Sequence, residues 1–489
     1  MVMENFAQIS ARRCVRIIRQ LLLPIKILAA LLMALIAFSG SAQAKATKND
    51  YLLAAEPAWV AAVRLDSSIP VAHSSMHYDL RDLQVKINGA SADRYSHVIR
   101  VVDDVAGLGP AAQIEMVFDP NYQNLTIHKL RLVRAGQTID ILRRAKIKLL
   151  QRETNLESQM YDGRVTASIV LEDVRVGDHV EYSYTISGSN PVFSGKYSDF
   201  FWTVNEIGPT TLYQLRLLAP ESRAINYRVG PDTRVTSNIH NGTREILFRR
   251  TSSPQIQLDE TVPISFYIPD QIQLSEFTDW REVASWGVRL FDSSATIPAS
   301  VKEEADKIRS STTNAADRLL YAVNFVQKQI RYFGTEVGPY SHRPAAPGKV
   351  LEQRFGDCKD KSALLIAILR ELEITADPVL VSTDYLDDVA SLLPSAGIFN
   401  HVIVRANIGN DTYWLDGTHS YQTGPLSQRQ SVGFGKGLVL NSAVREMADL
   451  PDASNEERIL VDDHFHIASY VEDPVLESRI THNIPRRIR

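Results

Sequence analysis

The stretch Gly356-Asp-Cys-Lys-Asp-Lys-Ser-Ala-Leu-Leu-Ile-Ala-Ile-Leu-Arg-Glu-Leu372 decides how the chain is read. From Ser362 to Leu372 it is apolar on nearly every face, the pattern of a helix buried inside a domain rather than laid on its surface. Cys358 stands at the polar threshold of that helix. There the unpaired N–H groups and the helix dipole favour negative charge, and Arg354, Lys359 and Lys361 add positive potential nearby. Both influences favour a thiolate, the nucleophilic form of cysteine. A cysteine kept only for packing would sit more naturally within the apolar run.

Upstream, residues 301–309 form a short amphipathic segment, and Asn314 caps a second helix with Asp317 in its first turn. Leu319, Val323, Val326, Ile330 and Phe333 recur in that helix at helical spacing, so one stripe faces a core. Residues 334–348, rich in Gly and Pro, then lead as a loop to the cysteine.

Downstream come strand-like runs at 378–382, 400–405 and 412–416, the last two separated by a turn containing Gly409. A hairpin centred on Ile408 and Gly409 sets His401 directly across from Asp416 on one face. A slip of one residue would turn one of them away. Cys, His and Asp in this order suit acyl transfer: the thiolate attacks, the imidazole serves as base and then acid, and the carboxylate orients the imidazole. A single strand histidine is more often structural, and Asp before Gly-Thr more often a turn former. The three residues together, the cysteine at a helix start, outweigh those separate readings.

Residues 76–290 read as strands. A hairpin is expected from Thr126-Ile-His-Lys-Leu-Arg-Leu-Val-Arg through Ala-Gly-Gln to Thr138-Ile-Asp-Ile, and residues 165–187 repeat the pattern around Gly177-Asp178. Short strands between Gly, Pro and Asn turns favour a sandwich or open barrel, and no catalytic residue types concentrate there.

The first residues change the meaning of the cysteine count. Arg12, Arg13, Arg16, Arg19 and Lys26 precede the apolar run 27–38, and small residues follow to Ala44, the order of a secretory signal peptide. The alternative is an uncleaved membrane anchor. Without residues 1–44, five basic side chains and one acidic one go, and the net charge falls from -4 to -8. Cys14 goes with them, so of the 2 cysteines only Cys358 remains and no internal disulfide is possible.

The 489 residues are 44% hydrophobic and 22% charged, a globular composition with room for several cores. No basic run suits a nucleic acid. Cys-x-x-Cys, His-Glu-x-x-His, Gly-x-Ser-x-Gly and Walker patterns do not occur, and no cofactor or metal is expected. Gly107-Leu-Gly-Pro-Ala-Ala half resembles a dinucleotide loop but contains Pro110, and His464-Phe-His466 is weak evidence for a metal.

Gly356-Asp-Cys-Lys-Asp-Lys-Ser with its helix, Phe399-Asn-His-Val-Ile-Val and Trp414-Leu-Asp-Gly-Thr resemble the core of the transglutaminase-like cysteine proteins, a papain-related superfamily. The run Leu171-Glu-Asp-Val-Arg-Val-Gly-Asp-His-Val-Glu-Tyr-Ser-Tyr-Thr resembles the β-rich domain of unknown function that precedes this core in many exported bacterial proteins. The two resemblances cover roughly residues 70–425. They imply an α+β chain, a sandwich-like β-domain followed by an α/β core with a central buried helix and an antiparallel sheet. The core resemblance implies Cys358 as nucleophile, His401 as base and Asp416 as orienter; Asp416-Gly-Thr stands where the family often has Asp-Pro-Thr.

The expected division is a signal peptide at 1–44, a linker at 45–69, the β-rich domain at 70–290, the core at 291–425 and, at 426–489, an extension that begins a third β-domain and is cut short. The oxyanion donors are the backbone N–H of Cys358 and, from related folds, a side chain upstream, for which Tyr332 is the candidate. His342 and His419 are candidates to line the cleft. The implied activity is an exported, periplasmic or extracellular cysteine hydrolase or transglutaminase acting on peptide amides, peptidoglycan peptides among them. The alternative is an inactive module at the cell envelope that binds a peptide or glycan.

Overall fold

The computed structural model describes residues 50–489 apart from 67, 71, 73, 154–155, 157–158, 258, 260–261, 292–295, 430, 432, 452–458, 467–474 and 483–489. Residues 1–44, read from the sequence as a signal peptide and containing Cys14, and the first residues of the expected linker lie outside the described residues.

The N-terminal half is built on a nine-stranded sheet in the order Tyr51–Leu53, Asn124–Arg134, His179–Ser187, Ser91–Val102, Met76–Asn88, Thr210–Pro220, Thr243–Ser253, Arg234–His240, with Gln137–Asp140 beside Asn124–Arg134. The hairpin read at residues 126–141 forms, turning at Ala135 and Gly136, both with positive φ (48° and 78°), as a tight two-residue connection requires. Two three-stranded sheets accompany the large one: Gln113–Phe118, Val165–Val170 and Ile147–Gln151, and Ser198–Trp202, Gln271–Ser275 and Asn226–Arg228. Gln113–Phe118 alternates strictly between exposed and buried, so only one face meets the core. Residues 165–187 do not repeat the hairpin. Val165–Val170 pairs within a small sheet while His179–Ser187 lies in the large one, because alternation shows which side of a strand faces inward but not which strand it joins. Gly107-Leu-Gly-Pro-Ala-Ala forms a short helical turn, Leu108–Ala112.

The C-terminal half stacks helices on a five-stranded sheet. Trp280–Leu290, Ala299–Ser311, Ala315–Gln329, Pro347–Gln353 and Cys358–Glu371 are its helices, and the strands run in the order Asp411–Leu415, His401–Ile408, Thr375–Val381, Lys436–Val439, Ala448–Asp449. Asn314 caps its helix, accepting from the N–H groups of Ala316 and Asp317. Leu319, Val323, Val326 and Ile330 are buried against Leu364, Leu365, Ile368 and Val404, so Cys358–Glu371 lies in the middle of the domain. Phe333 falls outside that stripe: the helix ends at Gln329, and the chain turns into short strands at Arg331–Tyr332 and Gly334–Thr335. Helical spacing continued past the true end because an apolar residue in the following segment kept the period by chance.

The core reaches beyond residues 291–425 at both ends. Val283, Ala284 and Trp286 pack in the same cluster as Cys358, and Lys436–Val439 pairs with Thr375–Val381. A further antiparallel hairpin joins Ile459–His466 to Val475–His482. Among the described residues no helix is long and apolar enough to cross a membrane.

The two halves meet beside Cys358. Met160–Tyr161 of the β-rich half pairs in parallel with Gly334–Thr335, and Asn190 Nδ2 donates to the Gly338 carbonyl (3.2 Å) and to Ser341 Oγ (3.0 Å). Trp286 Nε1 donates to the Val192 carbonyl at 2.8 Å, and Phe193 stacks on Trp286 with centroids 5.8 Å apart.

Candidate active site

Cys358 is the first residue of its helix and only 6% exposed. Asp357 caps the helix, accepting from the N–H groups of Lys359 and Asp360, and Asp360 closes a capping box by accepting from the Asp357 N–H. The fit is close: a Cβ on Gly356 would stand 2.6 Å from Asp360 Cβ, so only glycine passes there without a shift. Gly356 pairs with Tyr332 in a short parallel bridge, which brings Tyr332 alongside the cysteine segment. Burial raises the Tyr332 phenol, reinforced by the neighbouring Cys358, Asp357 and Glu336, so it stays protonated and able to donate.

His401 opens the strand His401–Ile408, and Asp416 follows the strand Asp411–Leu415 directly. The hairpin pairs Ile408 with Asp411 and Val404 with Leu415. Each partner is displaced by two residues from the register expected around Ile408 and Gly409, under which His401 would face Asp416 squarely. A shift of two keeps every side chain on its face. Asp416 therefore reaches His401 diagonally, Oδ2 lying 2.7 Å from Nε2. Its other oxygen accepts from the Thr418 N–H and hydroxyl, each at 2.7 Å. With Nε2 taken by Asp416, Nδ1 is the ring nitrogen left open, and Cys358 is near enough to join Asp416 in favouring the charged ring.

Electrostatics favour a charged ring. Burial acts to lower the His401 pKa, but Asp416 and Cys358 outweigh it and hold it up at about 10. Burial likewise acts to raise Asp416, but the bond to His401 prevails and keeps the carboxyl below its ordinary range. Phe434 stacks over the imidazole with centroids 5.7 Å apart, and it comes from beyond residue 425.

The three basic side chains expected to bias the thiol do not act alike. Lys359 is buried and paired with Asp357 and, at 3.4 Å, with Glu336. Arg354 is exposed and lies over the Phe325 ring. Lys361 is fully buried and donates to the Ile330 carbonyl. His419 Nε2 stands 3.5 Å from Asp416 Oδ2. His342 is walled in by Phe193 and Trp286, and burial pulls its pKa down to about 4, so it serves the junction between the halves as a neutral ring. Gln327 and Arg429 went unremarked in the sequence, although Gln327 carries a signal: it lies four residues after Val323 on the buried stripe, where a polar side chain needs a partner. It donates to the Asp416 carbonyl at 2.8 Å. Among the described residues no three His, Cys, Asp or Glu side chains gather so as to hold a metal.

Residues 302–414 match the family model described as the transglutaminase-like superfamily, ending two residues short of Asp416, and residues 88–257 match the Domain of Unknown Function DUF3857. No curated protein matches the sequence. Among solved structures, a "putative protease" from Parabacteroides distasonis superposes with a TM-score of 0.62 at 12% identity, over 82% of this chain and 79% of that one. At that identity the likeness bears on the fold. A "putative cysteine protease" from Cytophaga hutchinsonii (TM-score 0.23, 14% identity, 58% and 88% of the two chains) superposes too poorly to bear on it. The same holds for the periplasmic domain of TgpA from Pseudomonas aeruginosa (0.20, 14%, 62% and 92%). The chain thus carries a domain of the DUF3857 family followed by a transglutaminase-like core, and His401, within the matched core, bonds to Asp416 just beyond it.

Proposed function

We propose that the chain is a cysteine acyl-transfer enzyme that opens peptide or amide bonds through a thioester on Cys358. The observation that carries this is the imidazole of His401, bonded to Asp416 at 2.7 Å, with its charge also favoured by the neighbouring Cys358 at a helix N-terminus. In the proposed cycle the Cys358 thiolate adds to the carbonyl carbon and the negative charge passes to the oxygen. In this reading the Cys358 N–H and the Tyr332 hydroxyl receive it. The intermediate collapses as the C–N bond breaks and the His401 imidazolium gives its proton to the departing amine. Water then releases the acid, with His401 as base, or a second amine takes the acyl group.

Export, read from residues 1–44, would bring the enzyme to envelope substrates, peptidoglycan peptides among them. A binding-only module, the alternative, would leave the imidazole and carboxylate pair without a use. Iodoacetamide labelling at neutral pH tests the proposal. Cys358 should be alkylated faster than a free thiol, and His401→Ala should remove the advantage. Equal rates in wild type and His401→Ala would overturn it.

A further inference from the structure

Two buried cations lie behind Asp416, and among the described residues neither has a carboxylate within ion-pair distance. Lys361 is fully buried, its ammonium 2.5 Å from the Ile330 carbonyl. Gly417 packs onto it, the position of a Cβ there lying 3.5 Å from Lys361 Cβ. Arg429 is 2% exposed and bonded only to neutral groups: Gln327 Oε1 and Asn324 Oδ1, each at 2.8 Å, and the Gly424 carbonyl at 3.3 Å. Gln327 in turn donates to the Asp416 carbonyl at 2.8 Å.

A buried charge without a counter-ion is costly, and its retention calls for a physical reason. The charge pattern of the site supplies one. In the attacking form that acyl transfer requires, thiolate, imidazolium and carboxylate together carry one net negative charge, and Lys359 beside Cys358 is already neutralised by Asp357 and Glu336. Lys361 and Arg429 therefore face a negative site from behind without touching its reacting atoms. Burial lowers the Lys361 pKa to about 8 and the field of Asp416 works to raise it, so the two groups sense each other through the protein. Lys361 also ties three segments: its own helix with Cys358, the end of the helix Ala315–Gln329 that leads into Tyr332, and the turn after Asp416.

We infer that Lys361, and Arg429 through Gln327, are positioning residues that hold the Asp416 segment in place against His401 and Cys358. This rests on the acyl-transfer reading. The test is the rate of iodoacetamide alkylation of Cys358 in the full chain, in variants shown by circular dichroism to be folded. Lys361→Met and Gln327→Leu, which keep side-chain volume, should each slow alkylation by about tenfold or more. Neither should slow it further when combined with Asp416→Asn, because groups that act through one carboxylate are non-additive with it.

A rate within about twofold of wild type in Lys361→Met, or full additivity with Asp416→Asn, where a purely structural role would also leave it, overturns the inference. Should Lys361→Met fail to fold, Gln327→Leu is judged on the same two criteria. His401→Ala run alongside separates the two claims. No change there overturns the acyl-transfer reading, whereas a fall there with none in the folded Lys361→Met or Gln327→Leu overturns only the positioning role.

Discussion

His97 and His401 are held by carboxylates at almost the same distance, and their surroundings differ completely. On the large sheet His97 Nε2 lies 2.8 Å from Glu181 Oε1, and in the core His401 Nε2 lies 2.7 Å from Asp416 Oδ2. Glu181 is shared: Lys129 stands 3.2 Å away, and Arg131 binds both oxygens at 2.5 and 2.9 Å. Burial acts to raise Glu181, but His97, Arg131 and Lys129 together bring it down to about 2. Asp416 meets histidines instead, His401 at 2.7 Å and His419 at 3.5 Å. Thr418 fixes one oxygen, the other serves His401, and the charge of that ring is favoured further by Cys358 at a helix start. An imidazole–carboxylate pair is thus a structural bond in one place and part of a proposed catalytic unit in the other. The third group and the distribution of cations make the difference.

The largest expected effect separates the two histidines. His401→Ala should cost on the order of 10^6-fold in turnover of an amide substrate, as loss of one member of a triad does. His97→Ala should leave turnover at the wild-type level, and equal losses from the two would erase the contrast. Asp416→Asn should cost about 10^4-fold by letting the imidazole adopt the wrong tautomer; a tenfold loss or less would mean that Asp416 does not orient the ring.

On the sheet side the currency is stability. Glu181→Gln should destabilise the fold by about 2 kcal/mol, since it removes the buried carboxylate that the half-buried His97, Lys129 and Arg131 share. Urea unfolding measures this, and Cys358 alkylation should not change. A loss below about 1 kcal/mol would place Glu181 with ordinary surface ion pairs.

The smallest effects are in pH dependence and run in opposite directions. The depressed Glu181 contributes stability that is present above its ordinary 4.5 and is lost as pH falls toward about 2. The raised His401 contributes stability that is complete below its ordinary 6.5 and is lost as pH rises through about 10. Unfolding free energies across these windows should flatten at the acid end in Glu181→Gln and at the alkaline end in His401→Gln. The reverse assignment would break the comparison.

The buried helix, the cap at Asn314 and the position of Cys358 were legible because each depends on neighbours within a turn or two. The hairpin register was legible only to within two residues. Its face was right because side-chain alternation has period two, and its pairing was not, because the turn sets the centre. The end of the helix before Phe333 was misplaced for a related reason, since periodicity carries no stop signal of its own. Phe434, Gln327 and Arg429 escaped because their roles depend on partners roughly a hundred positions away or nearer only in space.

By itself the sequence determined the residue types and local elements: a single cysteine outside residues 1–44, at the start of an apolar helix, with a histidine strand and an aspartate strand after it. Local hydrogen bonding and side-chain periodicity are short-ranged, so a sequence records them directly. Tertiary structure alone decided that Asp416 reaches His401 on a diagonal, that the β-rich half braces the loop beside Cys358, and that two buried cations bonded to neutral groups lie behind the carboxylate. Those relations join segments far apart in the chain, and only packing brings them within the few ångströms over which charge and hydrogen bonding act.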